Sequence, residues 1–329
     1  MNLNLLIILC LFVLLIIIFP LIIKGKKRRE QEANFNEVQS QNQNSIVDNQ
    51  NDSLYVDYKA NRKDVIDAEN INFLTLSFQK NALIDLQNQL KLSNLQLDNF
   101  IYEAAKSYNQ LIIDFGDIIN ENSEDDVRYV PIEFSTKNSI LNFDETYVCH
   151  LSLIDRKIYS YHIYDRWLDE NSTLEQAYNV FCQKIEALRK QGWENYFFPY
   201  QVRYATSNAR HLLKIEQHLL IQEHGTLSFQ EFSDCLVNSE NNSIYLYLHL
   251  DGIYMSLIFI NTFSALVELN KMDDFIFYKN YSSLMNSEID NLEEYKIKAE
   301  IFRKKLEQEA IAQNIEINEN YVDHFPLES

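Results

Sequence analysis

The sequence predicts an α+β fold: an N-terminal transmembrane helix followed by a globular domain of antiparallel hairpins and helices. Three observations carry this. Residues 3–23 are apolar apart from one Asn and hold no charge. Two pairs of β-rich runs flank two-residue gaps, Asp155-Arg156 and Asp251-Gly252. Between them lie stretches with apolar residues at helical spacing, opened by Ser or Thr with Glu or Gln three positions on.

The apolar run from Leu3 to Ile23 matches the roughly 30 Å hydrocarbon core of a bilayer at about 1.5 Å per helical residue. It is followed by a basic flank of Lys24, Lys26, Lys27, Arg28 and Arg29. A cleaved signal peptide has its charge before the apolar core and small residues after it. Neither feature is present, so residues 1–29 read as an uncleaved single-pass anchor. Positive flanks stay in the cytoplasm, which places the body inside. A periplasmic body is the alternative and would need all five charges to cross. Residues 30–60, rich in Asn, Gln and Glu, read as a polar flexible tether, or alternatively as a frayed helix continuing from the span. Residues 61–329 are the acidic α+β domain, divisible into a helical part (61–126) and an α+β part (127–329).

Within the body, 71–79 reads as a strand and 80–92 as a helix on Leu83, Leu86 and Leu90. A second helix starts at Ser93 and carries Leu97, Ile101, Ala104, Ala105, Tyr108, Leu111 and Ile112 toward Gly116. Arg128–Phe134 reads as an edge strand because it holds Pro131. Thr146–Ile154 and Lys157–Tyr164 form a hairpin. Strict alternation puts Ile158, Ser160, His162 and Tyr164 on one face and Tyr159, Tyr161 and Ile163 on the other. Ser172-Thr173-Leu174-Glu175 opens a helix that Gly192 closes. An aromatic, partly extended run reaches Tyr204. Residues 207–223 read as helix, and Ser228–Glu231 caps a short one. Ile244–Leu250 and Ile253–Ile260 flank Asp-Gly, the strongest short-range hairpin signal. Phe263–Leu269 is a third strand and 288–312 a final helix.

The chain has 48 acidic and 29 basic side chains, a net charge of −19 at pH 7. Because all five flank charges precede the body, the body alone holds 24 basic against 48 acidic groups. Nucleic-acid phosphates need Lys and Arg partners, so this balance argues against nucleic acid. It suits a basic protein partner. Five glycines, none clustered, exclude phosphate-cradling and dinucleotide turns. Cys149, Cys182 and Cys235 are an odd number in the body and lack CxxC spacing, which argues against a disulfide framework.

Seven histidines invite a metal or catalytic reading. His211 and His218, on one predicted helix, lie roughly 10 Å apart by helical rise, too far for one zinc. There is no HExxH and no GxSxG. Cys149 and His150, adjacent on a strand, point to opposite faces. Nothing here points to a reaction, and no cofactor or metal is expected. Tyrosines beside acids suit a protein-binding surface. Tyr161, Tyr196, Tyr200, Asp165, Asp169, Glu170 and Glu231 are the expected partner-binding residues.

Residues 173–260 resemble a pattern in membrane-anchored bacterial immunity proteins associated with type VI secretion effectors. A helix ends in Gly192-Trp193-Glu194-Asn195-Tyr196. An arginine-bearing segment, Arg203 to Arg210, follows. Leu227-Ser228-Phe229-Gln230-Glu231 then leads to a hairpin from Tyr247 to Gly252. Phe232 and Val202-Arg203 depart from the pattern, which has Trp and Pro-Arg there. The resemblance implies a bacterial inner-membrane protein that neutralises a cognate toxin by occlusion, without enzymatic activity. A membrane-tethered assembly factor of an envelope complex is the alternative.

Overall fold

Turn chemistry places the two central hairpins. In the computed structural model, β5 (Ile140–Ile154) and β6 (Lys157–Arg166) meet at Asp155 and Arg156, both left-handed, at φ 48° and 62°. This is the geometry of a two-residue turn that matches strand twist, formed here without glycine. β8 (Ser243–Leu250) and β9 (Ile253–Ile260) meet at Asp251 (φ 55°) and Gly252 (φ 75°). The expected third strand is present as β10 (Ser264–Lys271), which pairs antiparallel with β9 and also with β6.

The structure describes residues 64–68, 70–106, 109–115, 128–169, 171–221, 227–239, 242–273, 277–279 and 289–325. The expected span, basic flank and tether lie outside these. Among the described residues no helix is long and apolar enough to cross a membrane.

One mixed sheet organises the body. Its strands run β1 (Val65–Asp67), β3 (Gln110–Asp114), β5, β6, β10, β9, β8, β7 (Glu194–Asn195); β4 (Val130–Ser135) pairs β5, and β2 (Leu74–Ser77) pairs β4. The β1–β3 and β2–β4 pairs are parallel. The expected division at residue 126 therefore gives way to a single sheet: β1 and β3 belong to the same ladder as the C-terminal strands. Nor is β4 an edge. It has neighbours on both sides, and the β5 register shifts between Val130 and Ile132, around Pro131. Pairing with β2 begins only at Ile132, so the missing proline N–H falls outside that ladder.

Helices α1 (Ala82–Gln89), α2 (Asn94–Lys106), α3 (Leu174–Lys190) and α5 (Phe229–Ser233) contribute to the main core. That core includes Leu86, Ala104, Phe181 and Phe232, with Leu151, Ile163, Leu246 and Val267 from the strands. Reciprocal capping boxes fix the starts of α3 (Thr173 with Gln176) and α5 (Ser228 with Glu231). The α3 cap therefore sits one residue after the expected Ser172. Trp193, just past α3, is buried, and its indole donates to Ser139 Oγ at 3.2 Å. A second core joins Tyr196, Phe198, Tyr200 and Tyr254 to Tyr278 and to Tyr295 and Ala299 of α6 (Leu292–Ile311).

Two helices are shorter than their periodicity suggests. α2 stops at Lys106, Asn109 turns left-handed (φ 58°), and Leu111 and Ile112 enter β3. α4 (Ala209–Glu216) stops at Gln217, φ 55°. There the backbone switches to pairing with β8: Tyr245 N–H donates to Gln217 O at 2.9 Å, and Leu219 N–H to Tyr245 O at 2.8 Å. His211 and His218 consequently do not share a helix.

Candidate protein-binding face

Two bulges decide which side chains reach the second face of the sheet. Thr146 pairs Asp165 and Val148 pairs Tyr164, which leaves Tyr147 as an extra residue in β5. Ser152 pairs Ser160 and Leu153 pairs Ile158, which leaves Tyr159 extra in β6. A bulge inserts one residue and reverses the alternation beyond it. Ile158 therefore joins Tyr161 and Ile163 in the main core, while Tyr159 packs on the second core. The face assignment by strict alternation fails at this point.

On the second face, direct register aligns Ile112, His150, His162, Glu268, Ser256 and Tyr247 across six strands. Beside this row runs a ladder of rings. Tyr129 meets Tyr147 at 6.5 Å edge-on, Tyr147 meets Tyr164 at 5.8 Å, and Tyr164 meets His150 at 5.5 Å. The Arg166 guanidinium lies 4.0 Å from the Tyr129 ring centroid. Its Nε donates to Glu145 Oε2 at 2.6 Å, and its Nη1 lies 3.8 Å from Asp169 Oδ2. Tyr129, Tyr164, His150, His162 and Glu268 are half-buried, and Tyr147 is 37% exposed. Ring pairs of this kind contribute about 0.5–1.5 kcal/mol each beyond area burial. The Tyr164 hydroxyl is held above its ordinary pKa by burial and by the nearby Glu268 charge. The result is a pre-arranged, neutral-aromatic surface edged by Glu145, Asp169 and Glu268. Rigid aromatic groups with polar tips present contact area at low entropic cost.

Of the expected partner-binding residues, Asp169 alone belongs to this ladder. Tyr161 is 1% exposed, and its hydroxyl donates to Ser77 O at 2.9 Å. Tyr196 and Tyr200 are buried in the second core. These three tyrosines are interior packing, not surface anchors, because their strands and loops turn them under helices. Asp165 is also buried. Its Oδ1 accepts from Glu145 N–H at 2.9 Å, while Oδ2 is buried without a hydrogen-bond partner. Burial pushes this carboxyl up to about 7. The neighbouring Arg166 pairs with Glu145 and Asp169 instead. Glu231 caps α5 and pairs with Arg210, far along the chain from the ladder. Glu170 lies outside the described residues. The sequence signal missed was the bulge: strict alternation assigns Tyr164 to the face of His162, but nothing in it places Tyr147 beside Tyr164.

A separate concavity of about 220 Å³ lies among α3, α4 and residues 219–221, lined by Phe181, Ile185, Leu213 and Leu220 with Arg189 and Arg210. It is smaller than the roughly 300–1,000 Å³ typical of ligand pockets. Among the described residues no group of three His, Cys, Asp or Glu side chains is placed to hold a metal ion.

No protein-family model matches the chain, and no curated protein and no solved structure is similar to it.

Proposed function

We propose that this chain is a non-enzymatic, membrane-anchored protein-binding module, and that it neutralises a cognate bacterial toxin by covering the toxin's active-site mouth. The observation that carries the reading is the half-exposed ladder Tyr129–Tyr147–Tyr164–His150 with its acidic edge. Tyrosine-rich, well-packed patches dominate binding energy at protein interfaces. The acid excess of the body complements a basic partner and speeds encounter. In this reading Leu3–Ile23 spans the inner membrane and the basic flank keeps the body in the cytoplasm.

Deletion of the gene tests the function. The expected result is growth arrest that disappears when an adjacent toxin gene is also deleted, with rescue by the intact gene. Rescue by a Tyr147→Ala/Tyr164→Ala double variant of equal abundance would overturn the role of the ladder. A harmless deletion, with the protein recovered in a multi-subunit envelope complex, would favour the assembly-factor alternative. The anchor is tested by fractionation: release into the aqueous fraction without detergent would refute it.

A further inference from the structure

After α6 the chain turns at Asn314 (φ 60°) and runs back across the body as residues 315–325. This tail lies as an outer layer. None of its residues is fully buried, and Val322 is 71% exposed. What it rests on is buried: Tyr196, Phe197, Tyr278, Tyr295 and Arg303. The contacts follow the pattern of a bound peptide. Backbone bonds fix it in extended form, from Ala205 N–H to Glu316 O at 3.1 Å and from Asn318 N–H to Arg203 O at 2.6 Å. Side chains then pack on separate clusters, Tyr321 on that of Phe197 and Phe325 on that of Tyr278. The Tyr321 hydroxyl accepts from Phe197 N–H at 3.0 Å. The Asp323 carboxylate is gripped by Arg203 and by Arg303 Nη1 at 3.0 Å, and Arg303 also donates to Pro199 O at 2.9 Å. The His324 ring lies against His249, tilted 40° with centroids 3.8 Å apart, and Phe325 packs against Tyr278 at 5.4 Å.

The receiving surface has polar capacity that the tail leaves unused. Tyr196 Oη and Tyr295 Oη are buried and lack a hydrogen-bond partner; both residues are 0% exposed. The Tyr196 and Tyr295 rings neighbour the tail, with centroids 6.5 Å from His324 and 6.4 Å from Phe325. Buried hydroxyls without partners are costly, so the tail does not satisfy every polar group of the surface it covers.

We propose that the slot is a peptide-recognition site for an extended segment of the form aromatic–x–carboxylate–x–aromatic, filled in cis by Tyr321, Asp323 and Phe325. A segment of the same chemistry from a partner protein displaces the tail, with Arg203 and Arg303 reading its carboxylate. Backbone pairing supplies affinity and the side-chain clusters supply selectivity. This inference is independent of the aromatic ladder.

The test uses the full-length protein and a fluorescent synthetic peptide of residues 314–325, read by anisotropy. Wild type, with its own tail in place, is expected to bind weakly. Asp323→Ala protein, whose tail has lost its charged anchor, is expected to bind at least 10-fold tighter. The peptide carrying Asp323→Ala loses that gain, and so does protein combining Asp323→Ala with Arg203→Met. Phe325→Ala protein is a second way to loosen the tail and is expected to bind more tightly than wild type. Equal binding by wild type and both loosened variants, or indifference to the peptide's aspartate, would overturn the proposal. So would unfolding of both tail variants by circular dichroism, since the tail would then be part of the fold and not its ligand.

Discussion

Asp165 gives the sharpest physical test of the structure. It is 1% exposed, accepts one backbone N–H through Oδ1, and has Oδ2 buried without a partner. Burial favours its neutral form and raises its pKa to about 7, against the pull of Lys184. The folded state therefore holds this proton over a range where the unfolded chain has lost it. The associated stability is fully present below the unfolded pKa near 4 and is lost as pH rises through the folded value near 7. At about 1.36 kcal/mol per unit, the loss approaches roughly 4 kcal/mol, an order-of-magnitude figure. Asp165→Asn removes the titration and keeps an oxygen to accept the Glu145 N–H. Urea unfolding at pH 4.5, 7 and 9 measures the difference. The variant is expected to match wild type within about 1 kcal/mol at pH 4.5 and to exceed it by about 2–4 kcal/mol at pH 9. Parallel pH profiles for the two proteins, or a variant less stable at pH 9, would refute the reasoning.

Other expectations are independent of that site. Burial lowers His218 to about 4 and His249 to about 3, the latter helped by adjacent His324. Their contribution is present above pH 6.5 and is lost as pH falls toward those values; His218→Gln should flatten the decline in urea midpoint between pH 6.5 and 4.5. Thr173→Ala removes the side-chain half of the α3 capping box and should cost about 1 kcal/mol in chemical denaturation. Cys149 is fully buried and burial raises its thiol pKa, whereas Cys182 is half-exposed. Native-state alkylation followed by mass spectrometry should therefore modify Cys182 well before Cys149.

Local chemistry made much of this fold legible. The Asp251-Gly252 turn, the Ser93 and Ser228 capping boxes and the third strand after the second hairpin all follow from residue types at short range. What escaped depends on distant partners. Leu111 and Ile112 continue a helical spacing, yet β1 and β5 offer them two ladders of backbone bonds, and Asn109 permits the break. Gln217–Leu219 leaves its helix because Tyr245 of β8 takes both backbone groups. The candidate face was hidden for a related reason. A bulge at Tyr147 and another at Tyr159 change the parity of a strand without any Pro or Gly to announce it. The extra residue at Tyr159 separates it from Tyr161, which strict alternation puts on the same face: Tyr161 lies in the main core and Tyr159 packs on the second.

The central claim is that this ladder is where a partner toxin is held. Its most direct test is the affinity of the purified body for the toxin that the proposal expects a neighbouring gene to encode, measured by calorimetry for wild type and for Tyr147→Ala and Tyr164→Ala singly. The account predicts tight wild-type binding and a loss of about 30-fold or more for each substitution, the scale of interface hot spots near 2 kcal/mol. Unchanged affinity in both variants, or no binding by the wild-type body, would contradict it.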